Sequence, residues 1–187
     1  MKNIILALVF LTILTGCKNR WLSNKELVET YYSAKNKKNF SEIKHLVNDS
    51  ITIISGDYVM LYNKQSFYEV FKWDSIFKTS YKMVDLIEEN NQIIASVELN
   101  SIKLEFLKNP AMTCDYKISF TSNRISKIEE INCKNANWNL WQQERDSLVK
   151  WTKKNHQNLD GFIHDMTMNG AINYVKAIEF YKSEKNL

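Results

Sequence analysis

Thr113-Cys-Asp-Tyr-Lys-Ile-Ser-Phe-Thr121, then Ser122-Asn-Arg124, then Ile125-Ser-Lys-Ile-Glu-Glu-Ile-Asn-Cys133 is the stretch whose reading decides the fold. Cys114, Tyr116, Ile118 and Phe120 alternate with more polar neighbours. A period of two marks a strand with one buried face. Arg124–Cys133 reads as the return strand, because Asn tolerates positive φ in the Ser122-Asn123-Arg124 turn. With Asn123-Arg124 as a two-residue loop, Ser122 faces Ile125, Tyr116 faces Ile131 and Cys114 faces Cys133. Directly opposed Cβ atoms lie about 4.5–5.5 Å apart, near enough for a disulfide. The other reading is two free thiols packed as small hydrophobes. A register slip of one residue would move the thiols to opposite faces.

Working back from this hairpin, two more strands are expected. Ser80–Glu88 and Gln92–Ile102 flank an Asn90-Asn91 turn. Earlier still, Ser50-Ile-Thr-Ile-Ile54 is rich in β-branched residues, and Gly56-Asp57 marks a turn. Helical periods surround these strands. Asn24 reads as a cap for a helix carrying Leu27, Val28, Tyr31, Tyr32 and Ala34 to about Lys37. Phe40, Ile43 and Leu46 suggest a short second helix that Ser41 helps to start. Asn63 caps a third, with Phe67, Val70, Phe71 and Trp73 on its apolar side.

Working forward, the period returns to that of a helix. A helix over about 137–155 places Trp138, Trp141, Arg145, Leu148 and Thr152 on one stripe. Phe162, Ile163 and Met166 suggest a short helix after Asp160-Gly161, and Ala171, Val175, Ile178 and Tyr181 a terminal one. Helices, then strands, then helices give an α+β fold with a mainly antiparallel sheet.

The N-terminus is a different kind of segment. Lys2 precedes an apolar run from Ile4 to Leu14, which leads to Leu14-Thr-Gly-Cys17. The run is about eleven residues, well short of the roughly 20 that span a bilayer. It resembles a bacterial lipoprotein signal peptide with its lipobox. By that resemblance residues 1–16 are removed and Cys17 carries a diacylglyceryl thioether and an acyl chain, palmitate among the fatty acids. Two or three chains on one residue make a lasting membrane anchor. Residues 17–23 are then a short lipidated tether. Lys18, rather than an acidic residue, follows the cysteine, which favours the outer membrane with the domain facing the periplasm.

Length and charge bound the remainder. The chain has 187 residues and a formal net charge of +4, which becomes +3 without Lys2. The 171 residues after the leader suit one domain with a sizeable core. Arg20, Arg124 and Arg145 are the only arginines, so no nucleic-acid partner is expected. With Cys17 lipidated, Cys114 and Cys133 remain as an even pair in an oxidising compartment.

The order of elements resembles a known superfamily. Val28-Glu-Thr-Tyr-Tyr-Ser-Ala34, Asn39-Phe-Ser-Glu-Ile43, the strand after Asn48-Asp49, the helix over 63–71 and the meander from Ser80 to Cys133 together resemble NTF2-like proteins of the SnoaL-like kind. That resemblance implies a cone over residues 24–134: a curved sheet wrapped around helices, with a cavity at the wide end. Trp138-Asn-Leu-Trp141, Trp151-Thr-Lys-Lys-Asn-His156 and Gly161-Phe-Ile-His-Asp-Met-Thr167 look like the tail of uncharacterised exported lipoprotein members. This likeness implies that residues 135–187 form a C-terminal helical appendage on the same domain.

Relatives such as ketosteroid isomerases and polyketide cyclases use an acid in the cavity as base, with a tyrosine at the oxyanion. Candidates here are Asp49, Asp57 and Tyr31. Asp49 as easily caps a strand in solvent, and Asp57 sits in an ordinary turn. Tyr31, Trp73, Glu98 and Tyr116 are candidates for lining a ligand pocket. His45, His156 and His164 lack metal-binding spacing, so neither a metal nor another cofactor is expected. The expectation is an anchored envelope lipoprotein whose NTF2-like domain is non-catalytic and binds a small apolar ligand or an envelope protein. The alternatives are a cavity enzyme with an Asp base and a structural module that forms a homodimer.

Overall fold

Ser23, not Asn24, begins the folded body. Its hydroxyl accepts from the Glu26 N–H while Glu26 reaches back to the Ser23 backbone, a capping box that starts α1 (Asn24–Asn36). The computed structural model describes residues 21–185, so the leader, Cys17 and most of the tether lie outside the described residues. Asn39, rather than Ser41, caps α2 (Phe40–Leu46). The chain then runs through β1 (Val47–Ser55), β2 (Tyr58–Asn63) and α3 (Lys64–Ile76), which Asn63 caps. β3 (Ser80–Glu89), β4 (Gln92–Asn100) and α4 (Ile102–Phe106) follow. β5 (Met112–Thr121), β6 (Arg124–Lys134), α5 (Trp138–Asn155) and α6 (Met168–Lys185) complete it. Strand β2 and helix α4 are additions to the sequence reading.

The six strands form one sheet in the order β2-β1-β6-β5-β4-β3. All neighbours are antiparallel except β1 and β6, which run parallel, so the sheet is mixed. The β5–β6 turn is Ser122-Asn123, both at positive φ, and Thr121 pairs with Arg124. The expected loop is therefore one residue too late. Two bulges on β6, at Ser126 and Ile131, shift the register back. Tyr116 consequently faces Glu130 rather than Ile131, while Cys114 still faces Cys133. The two cysteines are joined in a disulfide with Cα atoms 4.0 Å apart. Each bulge bends its strand and sharpens the local twist, and the curvature of the sheet follows from them.

Inside the curve, α1 and α2 pack on the sheet. Val28, Tyr31, Ile43, Ile51, Ile93, Val97, Ile118 and Ile125 are among the buried residues of this first core. A second core joins the C-terminal helices to the end of α3 and to α4. Phe77 and Phe106 from the cone meet Leu148 of α5 and Tyr174 and Ile178 of α6. The buried Asn109 pins this seam: its Oδ1 accepts from the Asn137 N–H at 2.6 Å, just before α5. The helix expected around Phe162–Met166 is absent. Gln157–Leu159 forms a single 3₁₀ turn instead, and Phe162 fills the second core from a turn beyond it.

Candidate functional site

Asp74 lies near the end of α3 and carries the centre of the interior. Phe67, Val70, Phe71 and Asp74 recur at helical spacing, so the stripe that buries the apolar residues also points a carboxyl inward. Across from it, Val28, Tyr31 and Lys35 share one face of α1. The Lys35 Nζ lies 3.3 Å from Asp74 Oδ2. The Tyr81 hydroxyl donates to the same oxygen, and the Thr79 hydroxyl donates to Oδ1 at 2.9 Å. Lys78, at positive φ, turns the chain after α3 so that Thr79 comes back to the carboxyl. The Lys35 ammonium also sits 4.1 Å from the centre of the Tyr81 ring.

The electrostatics follow from these contacts. Burial alone would push the Asp74 carboxyl up. The Lys35 ammonium, the hydrogen bonds from Tyr81 and Thr79, and nearby Lys103 outweigh it and hold the carboxyl below its ordinary range. Burial pushes Lys35 down, but Asp74 overrides it and the ammonium titrates above its usual range. Burial raises the phenols of Tyr31, Tyr81 and Tyr116, so all three stay protonated at neutral pH.

This polar cluster divides two small cavities. The first, of about 140 Å³, has apolar walls from Ile43, Ile53, Phe67, Val70 and Phe71, and Tyr31, Lys35, Trp73 and Asp74 also border it. Trp73 Nε1 is buried and has no partner among the described residues. The second, of about 150 Å³, lies on the other side of Asp74. Thr79, Tyr81, Lys103 and Tyr116 give it polar edges, and Leu99, Leu104 and Met112 give it apolar ones.

A helix-filled curved sheet of this order is shared with solved structures of low sequence identity. Bal32a, from a soil-derived mobile gene cassette, superposes with a TM-score of 0.53 at 11% identity, covering 66% of this chain and 95% of that one. An NTF2-like protein of unknown function from Cytophaga hutchinsonii gives 0.50 at 14% identity, covering 60% and 92%. IdmH from Streptomyces antibioticus, a candidate polyketide cyclase, gives 0.51 at 14% identity, covering 65% and 99%. The fold is NTF2-like. No protein-family model matches the sequence, and no curated protein does.

Within this NTF2-like cone the sequence candidates separate. Tyr31 and Trp73 border the first cavity and Tyr116 the second. Glu98 lies on the opposite face of β4 from the core residues Val97 and Leu99, 3.4 Å from Lys82. Asp49 is 83% exposed and ion-paired with Lys64 at 2.5 Å, outside both cavities. Asp57 is exposed in the β1–β2 turn. His156 pairs with Glu184 at 3.2 Å and stacks on Phe180 at the far end of the appendage. Among the described residues, one trio has metal-ligand chemistry, Cys114, Glu130 and Cys133, and its sulfurs are tied up in the disulfide. Tyr81, one of the aromatics expected to line a pocket, borders the second cavity, whereas Asp74, Lys35 and Lys103 escaped the sequence reading. The available signal was a carboxylate one helical turn beyond Val70 and Phe71, on the apolar stripe of α3.

Proposed function

We propose that this chain is a lipoprotein of the cell envelope, anchored through lipid on Cys17 in the outer membrane and facing the periplasm. Its NTF2-like domain holds a small apolar ligand and performs no catalysis. The observation that carries the non-catalytic reading is the pairing of Asp74. A general base needs a free carboxylate whose pKa lies near the working pH. Asp74 has an ammonium and two hydroxyls on its oxygens and titrates low. The first cavity supports the ligand class: it is mostly apolar, and at about 140 Å³ it is below the roughly 300–1,000 Å³ of drug-sized sites. Apolar cavities of about this size take up molecules such as benzene.

Benzene and the purified full chain test this reading. Benzene should raise the melting temperature of the wild type, and Val70→Trp, which fills the first cavity, should abolish the rise. An unchanged wild-type melting temperature in saturating benzene would remove the ligand. Native mass spectrometry of protein extracted from its own membrane tests the anchor. A mature mass starting at Cys17 with diacylglyceryl attached is expected, and a chain starting at Met1 without lipid overturns the anchor.

Two further readings have specific support. IdmH, a candidate polyketide cyclase with this fold, supports a cavity enzyme, with Asp74 in place of the two surface aspartates as its acid. The edge strand β2 exposes Tyr58, Val59 and Leu61, which supports a homodimer or an envelope protein partner. Size-exclusion with light scattering separates the dimer from the monomer.

A further inference from the structure

Lys103 is a cation without a counter-ion in contact. It extends from α4 along the second cavity, and its Nζ lies 4.5 Å from the centre of the Trp73 ring and 5.2 Å from that of Phe77. Among the described residues its ammonium makes no hydrogen bond and no ion pair. The nearest balancing charge is Asp74, which Lys35 already holds. Lys38 adds a third ammonium to the neighbourhood, with its Nζ donating to the Thr79 carbonyl at 2.8 Å. Three ammoniums therefore surround one carboxylate. Burying an unpaired charge is costly, and the cost is relieved by an opposite charge brought into contact.

The cavity edge is otherwise suited to receive an anion with an apolar tail. The Tyr116 hydroxyl has no protein partner among the described residues. Burial and the charge of Glu130 keep it protonated, hence a donor. Leu99, Leu104 and Met112 supply apolar wall. The volume, about 150 Å³, suits a few carbon atoms. A phosphate dianion would bring two charges to one free ammonium and have no use for the apolar wall.

We propose that this second cavity binds a small monocarboxylate, with its carboxylate on the Lys103 ammonium and the Tyr116 hydroxyl and its short alkyl tail on Leu99, Leu104 and Met112. The site is independent of the lipid anchor and of any occupant of the first cavity.

Butyrate and its neutral analogue butyramide test the site on the purified full chain, by calorimetry and by thermal melting. Butyrate should bind and raise the melting temperature, while butyramide, of the same shape, should not. Lys103→Met should weaken butyrate by about tenfold or more, as expected for loss of a charge-assisted bond. Lys108→Met, at an exposed position, should leave it unchanged. If Lys103→Met fails to fold, Tyr116→Phe on the wild-type background should still weaken butyrate several-fold, by loss of one hydroxyl donor. Equal binding of butyrate and butyramide overturns the proposal. So does undiminished binding in Lys103→Met, no butyrate binding at about 10 mM, or inorganic phosphate binding as tightly as butyrate.

Discussion

Asn36 holds Tyr81 by both of its backbone groups. The Asn36 Nδ2 donates to the Tyr81 carbonyl at 2.6 Å, and the Tyr81 N–H donates to Asn36 Oδ1 at 2.8 Å. Because β3 is the edge of the sheet, one side chain of α1 does here what a neighbouring strand would do. It also fixes where the Tyr81 hydroxyl meets Asp74. Asn36→Ala leaves two part-buried backbone groups unpaired and should cost about 1–3 kcal/mol. Urea unfolding at neutral pH would show it as a lower midpoint with an unchanged slope. A midpoint equal to that of the wild type would mean that water replaces the amide without loss.

Asp74 ties stability to pH. Its folded-state pKa lies below the ordinary value, so its contribution is complete above the unfolded pKa of about 3.9 and disappears as pH falls through the folded value. Lys35 has the opposite sign. Its folded pKa is raised, so its contribution is complete below about 10.4 and disappears as pH rises through the folded value. The stabilisation from the pair is thus complete between about pH 4 and about pH 10. Wild type should lose stability more steeply below pH 4 than Asp74→Asn does. Lys35→Met leaves a largely buried carboxylate without its cation and should cost about 3–5 kcal/mol at pH 7. Adding Asp74→Asn to Lys35→Met should recover part of that loss. Denaturant melts of the four proteins at pH 3 and pH 7 check both signs.

The contrast between α3 and β6 explains how much the sequence disclosed. Strand identity, the Asn90-Asn91 turn and the cap at Asn63 rest on local chemistry, and each is readable within a few residues. The register of β6 rests on two bulges that bend the strand and help to curve the whole sheet, and no pair of neighbouring residues announces them. The expected pairing at Tyr116 is therefore one residue out although the cysteines coincide. The site repeats this division. Tyr31, Trp73 and Tyr116 were legible as inward aromatics. Asp74 and Lys35 are 39 positions apart, and only the packing of α1 on α3 and the β3 edge brings them together. Asp49 and Asp57 attracted notice because they flank a strand, which is where a solvent-facing acid is ordinary.

The Cys114–Cys133 disulfide closes a loop with a sequence separation of 19. In the chain-entropy model, a loop of that length stabilises the fold by about 3 kcal/mol. Since Cys114 is fully buried on the inner face of β5, the bridge is also part of the first core. Cys114→Ala/Cys133→Ala should lose about 3 kcal/mol or somewhat more, the excess reflecting the missing sulfur atoms. The wild type melted in dithiothreitol should fall towards the double variant. Identical melts with and without the reductant would show that the bridge either does not form or adds nothing.

Gly170 sets the start of α6 by its lack of a side chain. A Cβ at this position would collide with the Asp165 carbonyl oxygen and with the Asp165 Cβ and Cγ. Asp165 cannot easily yield, because its Oδ1 accepts the Thr167 N–H at 2.9 Å and shapes the turn that leads into the helix. Thr167 in turn accepts from Gly170 and Ala171. In an exposed helix, Gly→Ala stabilises by about 1 kcal/mol. Here the sign should reverse, because the obstacle is backbone and the residue is buried beside Ala171 in the second core. Gly170→Ala should therefore lower the melting temperature, while Asn169→Ala, one residue earlier and exposed, should change stability by less than about 0.5 kcal/mol. The loss should appear equally in near-ultraviolet circular dichroism, since Trp141 and Trp151 pack on the same core. A stabilised Gly170→Ala would mean that the turn at Asp165 moves freely and does not fix the position of α6.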